Sequence, residues 1–227
     1  MALYIVATPI GNLKDITIRA LEVLKSVDYI VAEDTRVSSR LLARYEIKKP
    51  LYSFHEHSSE DALQKIITLL KEDKSFAYIV DAGTPGISDP GNYLVQKVSS
   101  EAPEVLIVPI PGPSALTTAI SVAGFQMDKF VFMGFPPHKK GRQKYFQEVY
   151  DAPYSVVLYE SPHRLIKTLK ELSEVGLSMY ECVLIKEISK VYERIVRMSI
   201  ADMVQEFSKE KKQKGEFVLV INKKKNK

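Results

Sequence analysis

The chain has 227 residues, 45% hydrophobic and 26% charged, a balance that fits one large or two small folded domains and excludes collagen-like, low-complexity and membrane-spanning classes. Its net charge of +4 and pI of about 8.9 tolerate a polyanionic partner without demanding one. Cys182 stands alone in an apolar run and reads as a buried, inert thiol; with no basic leader before Thr8-Pro9 and no long apolar run, a cytoplasmic protein without membrane association is expected.

In chain order, a strand is predicted at Leu3–Ala7, then a helix over Ile16–Ser26 with Asp15 as N-cap. A strand at Tyr29–Ala32, a helix over Val37–Glu46, a helix over Ala62–Lys71 capped by Ser58 or Ser59, and a strand at Ser75–Val80 follow. The Asp81–Gly91 loop leads into a further helix, with Asp89 as N-cap and Pro90 at the first helical position. After a strand at Val105–Val108, Pro111-Gly112-Pro113-Ser114 opens a helix with Ala115, Ala119 and Ala123 that ends at Gly124-Phe125. Strands are then expected at Phe130–Phe135, Ser155–Glu160, Glu181–Ile188, Arg194–Met198 and Phe217–Ile221. Helices fall over Arg142–Tyr150 and Pro162–Ser173, the latter capped by Ser161. This alternation predicts two α/β domains: residues 1–112 with a mostly parallel sheet, and residues 113–227 with a mixed one. The lysine-rich runs 209–214 and 223–227 read as solvated surface or a frayed tail.

Three Gly/Pro loops follow predicted strands: Thr8-Pro9-Ile10-Gly11-Asn12, the Asp81–Gly91 loop, and Pro111-Gly112-Pro113-Ser114-Ala115. None matches the dinucleotide or nucleoside-triphosphate phosphate-binding pattern. Exposed backbone beside small side chains suits a ligand read by main-chain hydrogen bonds, such as a nucleoside with an amino-acid tail; purely structural turns fit the same residues.

The segments Leu3–Leu13, Asp15-Ile16-Thr17, Ala32-Glu33-Asp34-Thr35-Arg36, Asp81–Gly91, Pro111–Ala115 and Tyr159-Glu160-Ser161-Pro162-His163-Arg164 resemble the ribosomal RNA small subunit methyltransferase I family, within the tetrapyrrole methylase superfamily. The resemblance implies the class III methyltransferase fold, two α/β domains with S-adenosylmethionine in the cleft between them. It further implies a homodimer and 2′-O-methylation of a cytidine in small-subunit (16S) ribosomal RNA, free or in the assembled subunit. Cofactor contacts are implied at Pro9, Gly83, Thr84, Pro85, Ile87, Ser114, Ala115, Tyr159 and Gly215; free N–H groups at a helix start beside Ser114 would favour a carboxylate. The chain departs from the family pattern at Lys186-Glu187-Ile188-Ser189-Lys190, usually Arg-Glu-Leu-Thr-Lys, at Arg197-Met198-Ser199, usually containing Arg-Gly-Thr, and in a short carboxyl tail.

Methyl transfer to a ribose hydroxyl is helped by a base, and Glu33, Asp34, Lys186, Glu187 and Lys190 are the candidates, with Asp34, Glu33 and Lys190 foremost; Asp34 serves equally well as a helix cap and Lys190 as a solvated or phosphate-pairing lysine. Arg36, Arg40 and Arg44 recur every four residues and share a helix face that could track phosphates. Lys139, Lys140 and Arg142 follow Pro136-Pro137-His138 in a basic loop, and Arg164 adjoins a helix start; all four are RNA-contact candidates. His55 and His57 lack a third ligand, so no metal is expected. Three other readings stay open: a tetrapyrrole C-methyltransferase on the same fold, a metal-dependent phosphohydrolase using Glu33, Asp34, Asp81 and Asp89, and a non-catalytic RNA-binding module.

Overall fold

Short, nearly continuous apolar runs build the first sheet. In the computed structural model, which describes residues 1–209 and 212–223, β1 (Ala2–Val6), β2 (Tyr29–Ala32), β3 (Leu51–Ser53), β4 (Phe76–Ile79) and β5 (Leu106–Ile110) align in the order β3-β2-β4-β1-β5. Every pairing in it is parallel. Alternate residues of β4 serve opposite faces. Phe76 and Tyr78 pack with Leu63, Ile66 and Leu70 of α3 (Glu60–Lys71) and Leu94 and Val98 of α4 (Gly91–Glu101). Ala77 and Ile79 pack with Ala20 and Leu24 of α1 (Ile18–Ser26) and Leu42 of α2 (Thr35–Arg44). Helices thus cover both faces, as a parallel sheet requires.

The second sheet is mixed: β6 (Phe130–Phe132), β7 (Ser155–Glu160), β8 (Glu181–Lys186), β9 (Arg194–Ser199) and β10 (Phe217–Ile221) run in the order β6-β7-β10-β8-β9. Only β6 and β7 pair in parallel. Its core joins Leu158, Leu184 and Leu219 to Phe146 of α6 (Arg142–Asp151), Leu169 of α7 (Leu165–Leu172) and Met203 of α8 (Ile200–Ser208). Cys182 lies in this core, fully buried, and burial pushes its thiol pKa up. The chain divides into two compact units, Met1–Ser114 and Ala115–Lys227, the second opening with α5 (Ala115–Ser121). Within the two lysine-rich runs, residues 210, 211 and 224–227 lie outside the described residues.

Several expected boundaries move. The cap of α1 is Thr17, whose side chain accepts from the Ala20 N–H at 3.1 Å, because Asp15 is used in a 3-10 turn over Leu13–Asp15. Pro90 occupies the N-cap position of α4 rather than the first helical one, and Asp89 reaches past it to accept from the Gly91 N–H at 2.8 Å. Helix α7 starts at Leu165, not Pro162, and gives way to a π-type turn over Ser173–Leu177. β3 and α8 are elements the sequence reading lacks; α8 carries its own signal, Ser199 accepting from the Asp202 N–H at 3.1 Å ahead of buried Ile200, Met203 and Phe207.

Candidate active site

Because β1, β4 and β5 are parallel neighbours, their carboxyl ends meet at one edge of the sheet, and so do the three Gly/Pro loops. The loops are stitched together. Thr8 and Gly83 exchange backbone hydrogen bonds of 2.9 and 3.1 Å, the Thr8 hydroxyl donates to the Val80 carbonyl at 3.0 Å, and the Thr84 hydroxyl donates to the Pro113 carbonyl at 3.0 Å. Gly83 has φ +87°, and a β-carbon there would lie 3.4 Å from Ile10 Cγ2 and 3.8 Å from the Pro113 oxygen, so any side chain would enter the crease where the loops meet. Pro9, Gly83, Pro85 and Ser114 are buried in this cradle; Thr84 and Ile87 are half-buried.

The second unit holds the other implied cofactor contacts. Ala115 opens α5. The Tyr159 ring packs edge-on against Phe132 and Phe135, with centroids 4.8 and 5.4 Å away. Burial pushes its hydroxyl pKa up to about 12, opposed by a hydrogen bond from the Leu116 backbone N–H. The Leu116 amide, in the first turn of α5, is thus engaged by Tyr159. At Gly215, φ is +97° and a β-carbon would lie 2.5 Å from Glu187 Cγ. The glycine makes room for Glu187, which accepts from the Glu216 N–H and from Lys190 Nζ, each at 2.9 Å.

Four carboxylates sit beyond β2 and β4 and meet different fates. Asp34 caps α2, accepting from the Arg36 N–H at 2.8 Å, and also pairs with the Arg36 guanidinium at 2.6 Å. These hydrogen bonds hold its pKa down to about 2, which makes it a cap and a poor proton acceptor. Asp89 binds the backbone N–H groups of Gly86, Ile87 and Gly91 at 2.8 to 3.0 Å and so shapes the loop. Glu33 is half-buried, and burial raises its pKa, assisted by the charges of Asp81 and Asp89. Burial likewise raises that of Asp81. The four-acid metal site of the phosphohydrolase reading is not assembled: among the described residues no group of three His, Cys, Asp or Glu could hold an ion. Glu33 and Asp89 instead line an open cavity of about 670 Å³ with His55, Glu56, His57, Ser88, Pro90 and Asn92.

Lys190 is held by Glu187 at 2.9 Å and Glu216 at 3.1 Å. Burial opposes its charge, but the hydrogen bonds to both carboxylates prevail and raise its pKa, so it stays protonated and is corrected from proton acceptor to fixed cation. Arg36, Arg40 and Arg44 are all exposed on α2, as are Lys139 and Lys140 on their loop. Arg142 and Arg164 are corrected from RNA contacts to internal struts. Arg142 is 4% exposed. It pairs with Glu171 and donates to the Pro137 carbonyl at 2.8 Å and the Thr168 hydroxyl at 3.0 Å. Arg164 bonds Glu160 at 3.0 Å and the Pro136 carbonyl at 2.8 Å. The buried acid Glu160 and its partner Thr168, which complete this network, went unrecognised because nothing in their spacing marks them.

A parallel α/β unit with a glycine-built cradle at its strand ends, followed by a unit with a mixed sheet, defines a tetrapyrrole methylase fold. The family model for Tetrapyrrole (Corrin/Porphyrin) Methylases matches residues 2–204. Diphthine synthase superposes with a TM-score of 0.75 at 15% identity, covering 98% of this chain and 90% of that one. Uroporphyrin-III C-methyl transferase from Thermus thermophilus, complexed with S-adenyl homocysteine, superposes with a TM-score of 0.66 at 17% identity over 97% of each chain. Ribosomal RNA small subunit methyltransferase I of Thermotoga maritima is 45% identical over 97% of both chains. This chain belongs to the ribosomal RNA small subunit methyltransferase I family. Among the described residues, no helix is long and apolar enough to cross a membrane.

Proposed function

We propose that the protein uses S-adenosylmethionine to methylate the ribose 2′-oxygen of a cytidine in small-subunit (16S) ribosomal RNA, acting as a homodimer in the cytoplasm. The observation that carries this reading is the cradle at Gly83, where three loops are stitched together and the backbone takes a left-handed φ of +87° that favours glycine. Bound S-adenosylmethionine supplies a methyl group activated by the positive charge of its sulfur. Pro9, Gly83, Thr84, Pro85, Ile87 and Ser114 would hold it at the cradle, and Ala115, Tyr159 and the Gly215 backbone are the further proposed contacts.

What the chain adds is mainly alignment of the acceptor oxygen, and positioning alone can supply much of such an acceleration. The exposed Arg36, Arg40 and Arg44 of α2 and the Lys139-Lys140 loop are the surfaces for RNA phosphates. Among Glu33, Asp34, Glu187 and Lys190, Glu33 is the one that faces open space, since Asp34 is bound to Arg36, Glu187 to Lys190 and the Glu216 N–H, and Lys190 to two carboxylates.

The test is calorimetric titration with S-adenosylmethionine, followed by methyl transfer to small ribosomal subunits and to free 16S RNA. Wild type should bind and transfer; Gly83→Trp should stay folded by circular dichroism and bind no cofactor. A wild type that takes up no cofactor, even with RNA present, refutes the proposal. Light scattering checks the dimer separately.

A further inference from the structure

We propose that the cavity bounded by Glu33, His55, Ser88 and Asn92 receives the target nucleobase, with Glu33 reading it by accepting a hydrogen bond from the exocyclic amine of cytosine. This inference rests on the RNA-methylation reading and names the base-recognition site within it.

Size and placement come first. About 670 Å³ is within the range of small-molecule sites, roughly 300–1,000 Å³, and is ample for a base with its ribose. The cavity shares a loop with the proposed cofactor cradle. At one end, Gly83 and Thr84 pack against Ile10 and Pro113; at the other, Ser88, Asp89 and Pro90 line the cavity. A base seated there lies a few residues of chain from the cradle.

The chemistry of the lining selects the part of a nucleotide that can enter. Glu33, Glu56 and Asp89 repel phosphate and favour N–H donors. Asp89 is consumed by three backbone N–H groups, and Glu56 pairs with His57 at 3.3 Å on the exposed rim. Glu33 is not consumed: its Oε2 receives a single long contact of 3.5 Å from the Asp81 N–H, and its Oε1 has no hydrogen bond among the described residues. Holding a half-buried carboxylate so poorly partnered costs stability, which the rise in its pKa through burial reflects.

Phosphates have their own place, because α2 begins directly after Glu33-Asp34 and presents exposed Arg36, Arg40 and Arg44. Acid for the base edge and arginine for the backbone together match an unstacked nucleotide of single-stranded RNA, with a carboxylate accepting from cytosine N4.

The experiment compares methyl transfer to RNA carrying cytidine or uridine at the target position, for wild type, Glu33→Gln and Glu33→Asp, with cofactor affinity measured on each. Wild type should favour cytidine by about 10- to 100-fold in kcat/KM. Glu33→Gln should lose most of that preference, because its amide can donate to uracil O4, while binding cofactor like wild type. Glu33→Asp should keep the preference at a lower rate. Equal losses on both bases, or a preference that survives in Glu33→Gln, overturns the base-reading role while leaving the methyltransferase reading intact. Wild type that binds cofactor but methylates neither RNA overturns both.

Discussion

Replacing Arg142 by methionine separates a strut from an RNA contact. The guanidinium is 4% exposed, whereas the side chain of its partner Glu171 retains 22% exposure. Breaking a fully buried pair costs about 3–5 kcal/mol, because the surviving charge loses its compensation. Glu171 can partly rehydrate and has Lys167 Nζ at 3.9 Å, so the low end applies to it. The Pro137 carbonyl loses a 2.8 Å donor, while methionine preserves the apolar packing against the Phe146 ring. The expected cost is therefore about 3 kcal/mol, or a fall in melting temperature of roughly 6–12 °C for a chain of this size. Differential scanning calorimetry and urea unfolding measure it. The companion assay is RNA binding across a salt series. A residue that neutralises a phosphate contributes about 0.7–0.9 to the slope of log K against log salt; Arg142→Met should leave that slope unchanged, whereas Lys140→Ala should reduce it. A destabilisation below about 1 kcal/mol together with a reduced slope would refute the strut.

Three further outcomes follow from the same electrostatics. Asp34→Asn should lower the melting temperature at pH 7: the hydrogen bonds from Arg36 depress the folded pKa to about 2, so the contribution is full above the unfolded value of about 4. It is lost as pH falls through about 2, and melts of both proteins should converge there. Glu33→Gln should have the opposite sign. Burial raises the folded pKa of Glu33, so its ionised form opposes folding. The variant should therefore be more stable than wild type at pH 7 and equal to it near pH 3, where both forms are neutral. Cys182 should resist thiol reagents in the native protein and react fully after unfolding, because it is completely buried and its pKa is raised.

Much of the fold is legible because its signals are local. The run Phe76-Ala77-Tyr78-Ile79 is apolar throughout because both its faces are covered, and Ser59 caps α3 where a serine before an acidic first turn predicts it. What escapes is decided by contacts distant in sequence. Three residues of β3 carry too little pattern to register, and become a strand only because β2 offers a parallel edge. Arg142 looks like one more cation in a basic loop until Glu171 and Thr168 arrive from α7. The glycines show the same division. Gly83 is readable as a ligand-approach position from its loop, whereas Gly215 is needed because Glu187 crowds it, a neighbour 28 positions earlier in the chain.

Adjacent residues make the point most sharply. Glu33 and Asp34 carry the same charge at the carboxyl end of one strand, and in sequence they are interchangeable as catalytic acids. The start of α2 separates them. Asp34 stands at the N-cap, where the short aspartate reaches the Arg36 N–H and its guanidinium together, and the carboxylate is stabilised and withdrawn from chemistry. Glu33, one residue earlier, still follows the strand: its N–H bonds the Ile79 carbonyl at 3.3 Å, and its longer side chain lines the cavity. There it gains a weak contact and a burial penalty. A group that costs stability where its neighbour adds it is the one for which a role toward substrate is the physical account. The Glu33→Gln pair of measurements is therefore decisive: a gain in stability at neutral pH joined to a loss of base preference is the combination a purely structural acid would not give.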